Sequence, residues 1–335
     1  MREQLHAIGI SYWRSAVLRA AIKLDLFRLL GERTLSREQI TDLLEADNTR
    51  RTGSFLDACT VLGLLVKEGE NYRNSELALT WLQPDKPAYY GDLMIHLTNH
   101  WNTLGKLDEL VRSGKSELPF ENGFVSEARY WSDYMLGQHN RALTGQGDNL
   151  VRHVDLADKR TLLDLGGGTG SYSIAICQAY PNIRADIVDQ TEPLQIARQL
   201  VKDADLEQRI TLIEADMHTV QLSEQYDAVL MSGIFVLQSE AENRHILRRT
   251  FDLLRPGGII IIQDYLRLEY GQERHYLDTM MDLYIQLCFV PKAGNWHGAD
   301  IEVWIRDAGF TDIRKIPVST HLEIMTAEKP AVRSS

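Results

Sequence analysis

Four glycines in five residues, Gly166-Gly167-Gly168-Thr169-Gly170, stand between a short apolar run, TLLDL, and an apolar stretch of helical length, SYSIAICQAY. Glycine adopts backbone conformations closed to other residues and lets bare backbone approach a ligand. Strand, glycine turn and helix in that order therefore point to a ligand site at the head of a βα unit. Downstream, ADIVD, ITLIEAD, YDAVLMS and GGIIIIQDY repeat the pattern of short β-branched or apolar runs, separated by helical stretches of crossover length. From residue 151 onward the spacing predicts an α/β, Rossmann-like domain with a parallel, doubly wound sheet.

Two ligand classes use such a turn. A dinucleotide fingerprint G-x-G-x-x-G counted from Gly166 needs Gly or Ala at 171, where this chain has Ser171. The acidic Asp164 two positions before the first glycine, with Gly166, Gly168 and Gly170 alternating, is similar instead to motif I of class I methyltransferases. The next strand ends at Asp189, about 20 residues on, where a carboxylate can accept from both ribose hydroxyls. That feature alone does not separate NAD from S-adenosylmethionine. The third strand adds Asp216, suited to accept from an adenine amino group, and Met217, a flexible thioether suited to cover the ring. Together these strand-end residues favour S-adenosylmethionine, although a capping Asp or a core Met is the plain alternative for any one of them.

The N-terminal half is helical. Leu18, Ala21, Ile22, Leu26 and Leu29 recur at i, i+3, i+4 spacing, and Ser36 before Glu38 and Gln39 reads as a helix N-cap. Leu64 to Val66, a Gly-containing turn and Tyr72 predict a β-hairpin, which completes a winged-helix outline. Residues 1–88 are expected to form a dimerisation domain, 89–150 a helical linker that helps build a substrate pocket, and 151–335 the ligand-binding domain. The 89–150 segment is rich in large side chains such as Trp101, Tyr134 and His139, which either pack helices together or face a ligand.

A formal net charge of −11 over 335 residues opposes nucleic-acid binding, so a small-molecule partner is expected. The chain lacks an apolar stretch of membrane-spanning length, and its first segment does not read as an export signal. With three scattered cysteines, Cys59, Cys177 and Cys288, and no CxxC spacing, it reads as a reduced, cytoplasmic protein without a metal site. The polar tail EKPAVRSS is expected to fray.

AIKLDLFRLL, LLDLGGGTG, EADMH, LLRPGGIIIIQD and VWIRDAGF together resemble the S-adenosylmethionine-dependent small-molecule O-methyltransferases of the caffeic-acid and hydroxyneurosporene type, over nearly the whole chain. The resemblance implies a winged-helix dimerisation domain, a homodimer, a seven-stranded cofactor domain and S-adenosylhomocysteine as product. It implies cofactor roles for Asp164, Gly166, Gly168, Gly170, Asp189, Asp216, Met217 and Ser232, and an acceptor pocket lined by helices around Trp101, Tyr134, Met281 and Tyr284.

At one point the chain departs from that pattern. Where the family carries a histidine that removes the acceptor proton, this sequence has Val236, followed by Leu237 and Gln238. Either the acceptor needs no dedicated base or another group replaces it, with His100, His139 and His297 as candidates; each can equally be a packing or surface histidine. N-, S- or C-methylation stays open beside O-methylation. So do a cofactor-dependent rearrangement, decarboxylation or hydroxylation on the same fold, and a non-catalytic winged-helix regulator.

Overall fold

Ser36 begins its helix as its sequence requires. Its hydroxyl accepts from the Gln39 amide at 3.3 Å while the Gln39 side chain accepts from the Ser36 amide at 2.9 Å, a reciprocal capping box that satisfies two otherwise orphaned donors. The computed structural model describes residues 1–266, 276–319 and 322–331. The last four residues of the polar tail lie outside them. The chain divides into two units, residues 1–99 with 132–144 and residues 100–131 with 145–335, so the 89–150 segment is shared between both.

In the first unit, β1 (Leu35–Ser36), β2 (Leu65–Glu68) and β3 (Asn71–Asn74) form an antiparallel sheet in the order β1-β3-β2. Helices pack on it around Phe27, Leu30, Ile40, Leu56, Leu65 and Tyr72. Asn74 ties the wing to the helix Leu26–Leu30, donating to the Phe27 and Gly31 carbonyls at 2.8 and 2.9 Å. By contrast, the helix Arg2–Gly9 buries none of its residues. Leu5, Ile8, Tyr12 and Trp13 are large, apolar and exposed.

The second unit is built on seven strands among the described residues: β4 (Thr161–Leu165), β5 (Arg184–Asp189), β6 (Ile210–Glu214), β7 (Tyr226–Ser232), β8 (Leu254–Asp264), β9 (Thr311–Pro317) and β10 (Glu323–Glu328), ordered β6-β5-β4-β7-β8-β10-β9. The first five are parallel, and β10 runs antiparallel to both β8 and β9. The five apolar runs thus form the parallel part of the sheet as expected, and two further late strands make the whole sheet mixed. The two late strands escaped because β9, TDIRKIP, carries charge and lies at the sheet edge, half in water.

The central strands are apolar throughout because both sheet faces are covered. Leu163, Leu165, Val229, Met231, Ile260 and Ile262 face one core. Leu162, Ile187, Leu230 and Ile261 face the other. Strand order reverses between β4 and β7, and the crevice beyond the C-terminal ends at such a switch point is where open α/β sheets bind ligands.

Candidate active site

The turn after β4 lies at that switch point. Gly166, Gly168 and Gly170 have φ of +68°, +58° and +70°, a region that penalises any Cβ. Space forbids side chains as well: a Cβ at Gly166 would collide with Ile234, and one at Gly170 would lie 2.7 Å from Ile187 Cδ1. Bare backbone therefore lines the head of the helix Ser171–Ala179.

Asp189, at the end of β5, accepts from the Gly168 amide at 2.7 Å through Oδ2 and from the Gln190 amide at 2.7 Å through Oδ1. Burial raises its pKa, against the pull of those two donors. Asp164 lies beneath the turn, 1% exposed, with Oδ2 accepting from the Ser173 hydroxyl at 2.6 Å and Oδ1 without a partner. Burial pushes its carboxyl up to about 7; the Ser173 bond opposes the shift and the charge of Asp189 adds to it.

Beyond β6, Asp216 is exposed, and its Oδ1 caps the following turn by accepting from the His218 amide at 2.8 Å. Next to it Met217 is half-buried. Its sulfur lies 3.2 Å from where a Gly166 Cβ would stand, so the third strand's end and the glycine turn meet. Ser232, half-buried at the end of β7, accepts from Gln263 at 3.2 Å. Bare glycine backbone, a strand-end carboxylate and a thioether against Gly166 fit an adenosine-bearing ligand. The unpartnered Asp164 oxygen sits under the same turn.

Val236 lies in a turn held from several sides. Asp264, buried at the end of β8, accepts the Phe235 and Val236 amides on Oδ2 at 2.8 and 3.3 Å and the Tyr265 amide on Oδ1 at 2.8 Å. The Phe235 carbonyl accepts from Trp296 Nε1 at 2.9 Å and Asn243 Nδ2 at 3.0 Å, and the Val236 carbonyl from the Gly294 amide at 3.1 Å. So held, Val236 is 6% exposed and packs with Ile285, Ala293, Tyr265, Met281, Tyr284 and Phe289. Two expected pocket residues, Met281 and Tyr284 on the helix Tyr276–Cys288, thus meet Val236 in one apolar wall.

The candidate histidines fall in both units. His100 is buried behind that wall, its ring 4.9 Å from Tyr284 and 5.6 Å from Phe289, and burial lowers its pKa to about 3. Trp101 follows it, half-buried at the start of the helix Trp101–Gly105. His297 caps the helix Gly298–Asp307 by position, one residue after the indole that holds the turn. Tyr134 and His139 belong to the first unit, where Tyr134 packs edge-on to His96 at 4.9 Å and burial lowers the His139 pKa. The bracing residues Asp264, Asn243 and Trp296 were not singled out from sequence. Their one visible signal was an acid closing the IIIIQD run.

Residues 104–311 match the family model described as the O-methyltransferase domain, and residues 8–84 the O-methyltransferase dimerisation domain. The chain is 28% identical over 319 residues to 3-hydroxy-5-methyl-1-naphthoate 3-O-methyltransferase of Streptomyces sahachiroi, covering 92% of this chain and 89% of that one. It is 30% identical over 276 residues to L-tyrosine C(3)-methyltransferase of Streptomyces lavendulae, covering 76% and 72%. Its fold matches human N-acetylserotonin methyltransferase, solved in complex with S-adenosylmethionine, at a TM-score of 0.88 with 22% identity and 98% of each chain covered.

Proposed function

The chain belongs to the O-methyltransferase family and is an S-adenosylmethionine-dependent methyltransferase of a small molecule; from that premise we propose that it methylates an oxygen of a largely apolar acceptor seated against the wall formed by Val236, Met281 and Tyr284. When bound, the cofactor would supply an electrophilic methyl group on its sulfonium, to be exchanged for the acceptor's hydroxyl proton, which would pass to water, with S-adenosylhomocysteine as the leaving product.

The residues that would hold the cofactor are Gly166, Gly168 and Gly170 through bare backbone, Asp189 through ribose hydroxyls, Asp216 and Met217 at the adenine, and Ser232 beside them. Asp164 would act from below, keeping the turn in shape through Ser173. The observation that carries this reading is the convergence of three positive-φ glycines, the Asp189 carboxylate and the Met217 sulfur at the switch point.

For the transfer itself the chain relies on position. An in-line displacement gains about 7–11 kcal/mol from holding the nucleophile against the electrophile in the right geometry. The braced 235–237 turn gives the acceptor wall that rigidity. A general base adds about 10²–10⁴-fold, but position 236 carries none, and the neutral ring of His100 is too weak a proton acceptor to replace it. Oxygen as the methylated atom rests on the family domain and on the naphthoate 3-O-methyltransferase; the tyrosine C(3)-methyltransferase keeps carbon as the second reading.

The same reading makes the protein a homodimer joined through the exposed apolar face at Leu5, Ile8, Tyr12 and Trp13, within and beside the dimerisation domain. A cytoplasmic setting suits its free, buried cysteines, and the net charge of −11 argues against a nucleic-acid partner. Incubation with methyl-labelled S-adenosylmethionine and a panel of phenols, amines and thiols tests the reaction. Label should pass to phenolic oxygen; transfer only to nitrogen, sulfur or carbon would overturn the O-methyl assignment.

A further inference from the structure

Gln238 follows the braced turn Phe235–Leu237 and is fixed by its backbone. Its amide donates to the Phe235 carbonyl at 3.3 Å, and its carbonyl accepts from Trp296 Nε1 at 3.2 Å and from Asn243 Nδ2 at 3.5 Å. The residue is 5% exposed. From that fixed point its side chain reaches the segment after β6, where Nε2 donates to the Met217 sulfur at 3.9 Å. The same sulfur lies 3.2 Å from where a Gly166 Cβ would stand.

A thioether is a weak acceptor, and Gln238 Oε1 is buried without a partner. Among the described residues, the Met217 sulfur is thus the one hydrogen-bond partner of a buried carboxamide. A buried acceptor left unsatisfied destabilises a fold, and an apolar side chain of the same shape in its place is neutral or stabilising. Folding therefore does not call for glutamine at 238, whereas the contact with Met217 does. Methionine is flexible about several side-chain bonds, and ordering such a side chain when a ligand arrives weakens binding. A donor aimed at the sulfur from a rigid backbone holds the thioether in place beforehand.

We propose that Gln238 is a positioning residue for the cofactor: anchored beside the turn that carries Val236, it holds the Met217 thioether against the glycine turn, in place to cover the adenine. The segment that forms part of the acceptor wall therefore also sets the adenine cover, and the departure from the family pattern at 238 serves cofactor binding rather than proton transfer. This inference rests on the cofactor site proposed above.

Isothermal titration of S-adenosylhomocysteine into the wild-type protein, Gln238→Met, Met217→Leu and the double variant tests it, with Tm measured for each. Methionine at 238 replaces the carboxamide at similar volume, and leucine at 217 keeps an apolar cover while removing the sulfur. Gln238→Met should weaken binding about 3–10-fold, the equivalent of ordering one flexible side chain, with Tm at or above that of wild type. In the Met217→Leu background the same substitution should change affinity by less than about twofold, because the pair no longer exists to be broken. Failure of the wild-type protein to bind S-adenosylhomocysteine would remove the cofactor reading and this inference with it. Binding by the wild type with unchanged affinity in Gln238→Met, or a loss of the same size whether or not residue 217 carries a sulfur, would overturn this inference alone.

Discussion

Asp164 accepts the Ser173 hydroxyl at 2.6 Å, and this one bond ties the last turn-facing carboxylate of β4 to the helix on the other side of the glycine turn. The pair lies in the layer beneath the site, so its chemistry is read most directly through stability.

The Asp164 carboxyl titrates near 7 in the folded chain, against an ordinary 3.8. Between those values the folded chain keeps a proton that the unfolded chain has released. The group's contribution is thus full below about pH 3.8 and is lost as pH rises to 7. Asp164→Asn, which cannot ionise, should show a smaller fall in Tm between pH 5 and pH 8 than the wild-type protein when both lack cofactor. An identical fall in both proteins would remove Asp164 as the source.

His100 behaves oppositely. Burial lowers its pKa from 6.5 to about 3, so on acidification the unfolded chain takes up a proton first. Its contribution is present above about pH 6.5 and is lost as pH falls toward 3. Scanning calorimetry should find that His100→Phe loses less Tm than wild type between pH 7 and pH 4.5. With a turned-over acceptor in hand, the same variant should keep kcat within about tenfold. A loss of about 10²-fold or more, with acceptor binding intact, would instead make His100 the relocated base.

Installing the missing histidine should not help. Position 236 is 6% exposed and walled by Ile285, Met281 and Phe289, so an imidazole there would be desolvated as His100 is and would stay a weak base. Val236→His should therefore leave kcat at or below that of wild type across pH 6–8. A tenfold rise would show that a base limits the rate.

Removing Asp264 should damage the acceptor wall and spare the cofactor. Asp264→Ala strands the Phe235, Val236 and Tyr265 amides, and a buried unsatisfied donor costs about 1–3 kcal/mol. A Tm drop of several degrees is expected, with kcat falling well beyond the change in S-adenosylmethionine affinity. Equal losses in both would place Asp264 in the cofactor site.

Much of this was legible in the residues. The glycine turn, the five apolar runs and the Ser36 capping signature each act locally, through backbone freedom, β-branched packing and a four-residue cap, and each matches an element of the structure. The antiparallel pair β9 and β10 was not legible, because TDIRKIP at a sheet edge keeps polar residues that blur the period. Nor was the bracing of Val236 by Asp264, Asn243 and Trp296, since these contacts join residues 8 to 61 positions apart. Pairings of that kind depend on which strand ends the fold brings together.

Isothermal titration of S-adenosylmethionine into the wild-type protein and Asp189→Ala tests the central claim most directly. Hydrogen bonds to a charged group contribute about 1.5–3 kcal/mol, so the wild-type chain should bind one equivalent and the variant should bind about 10–100-fold more weakly. Equal affinity in the two proteins, or no binding to the wild type, would contradict a cofactor site at the Gly166–Gly170 turn.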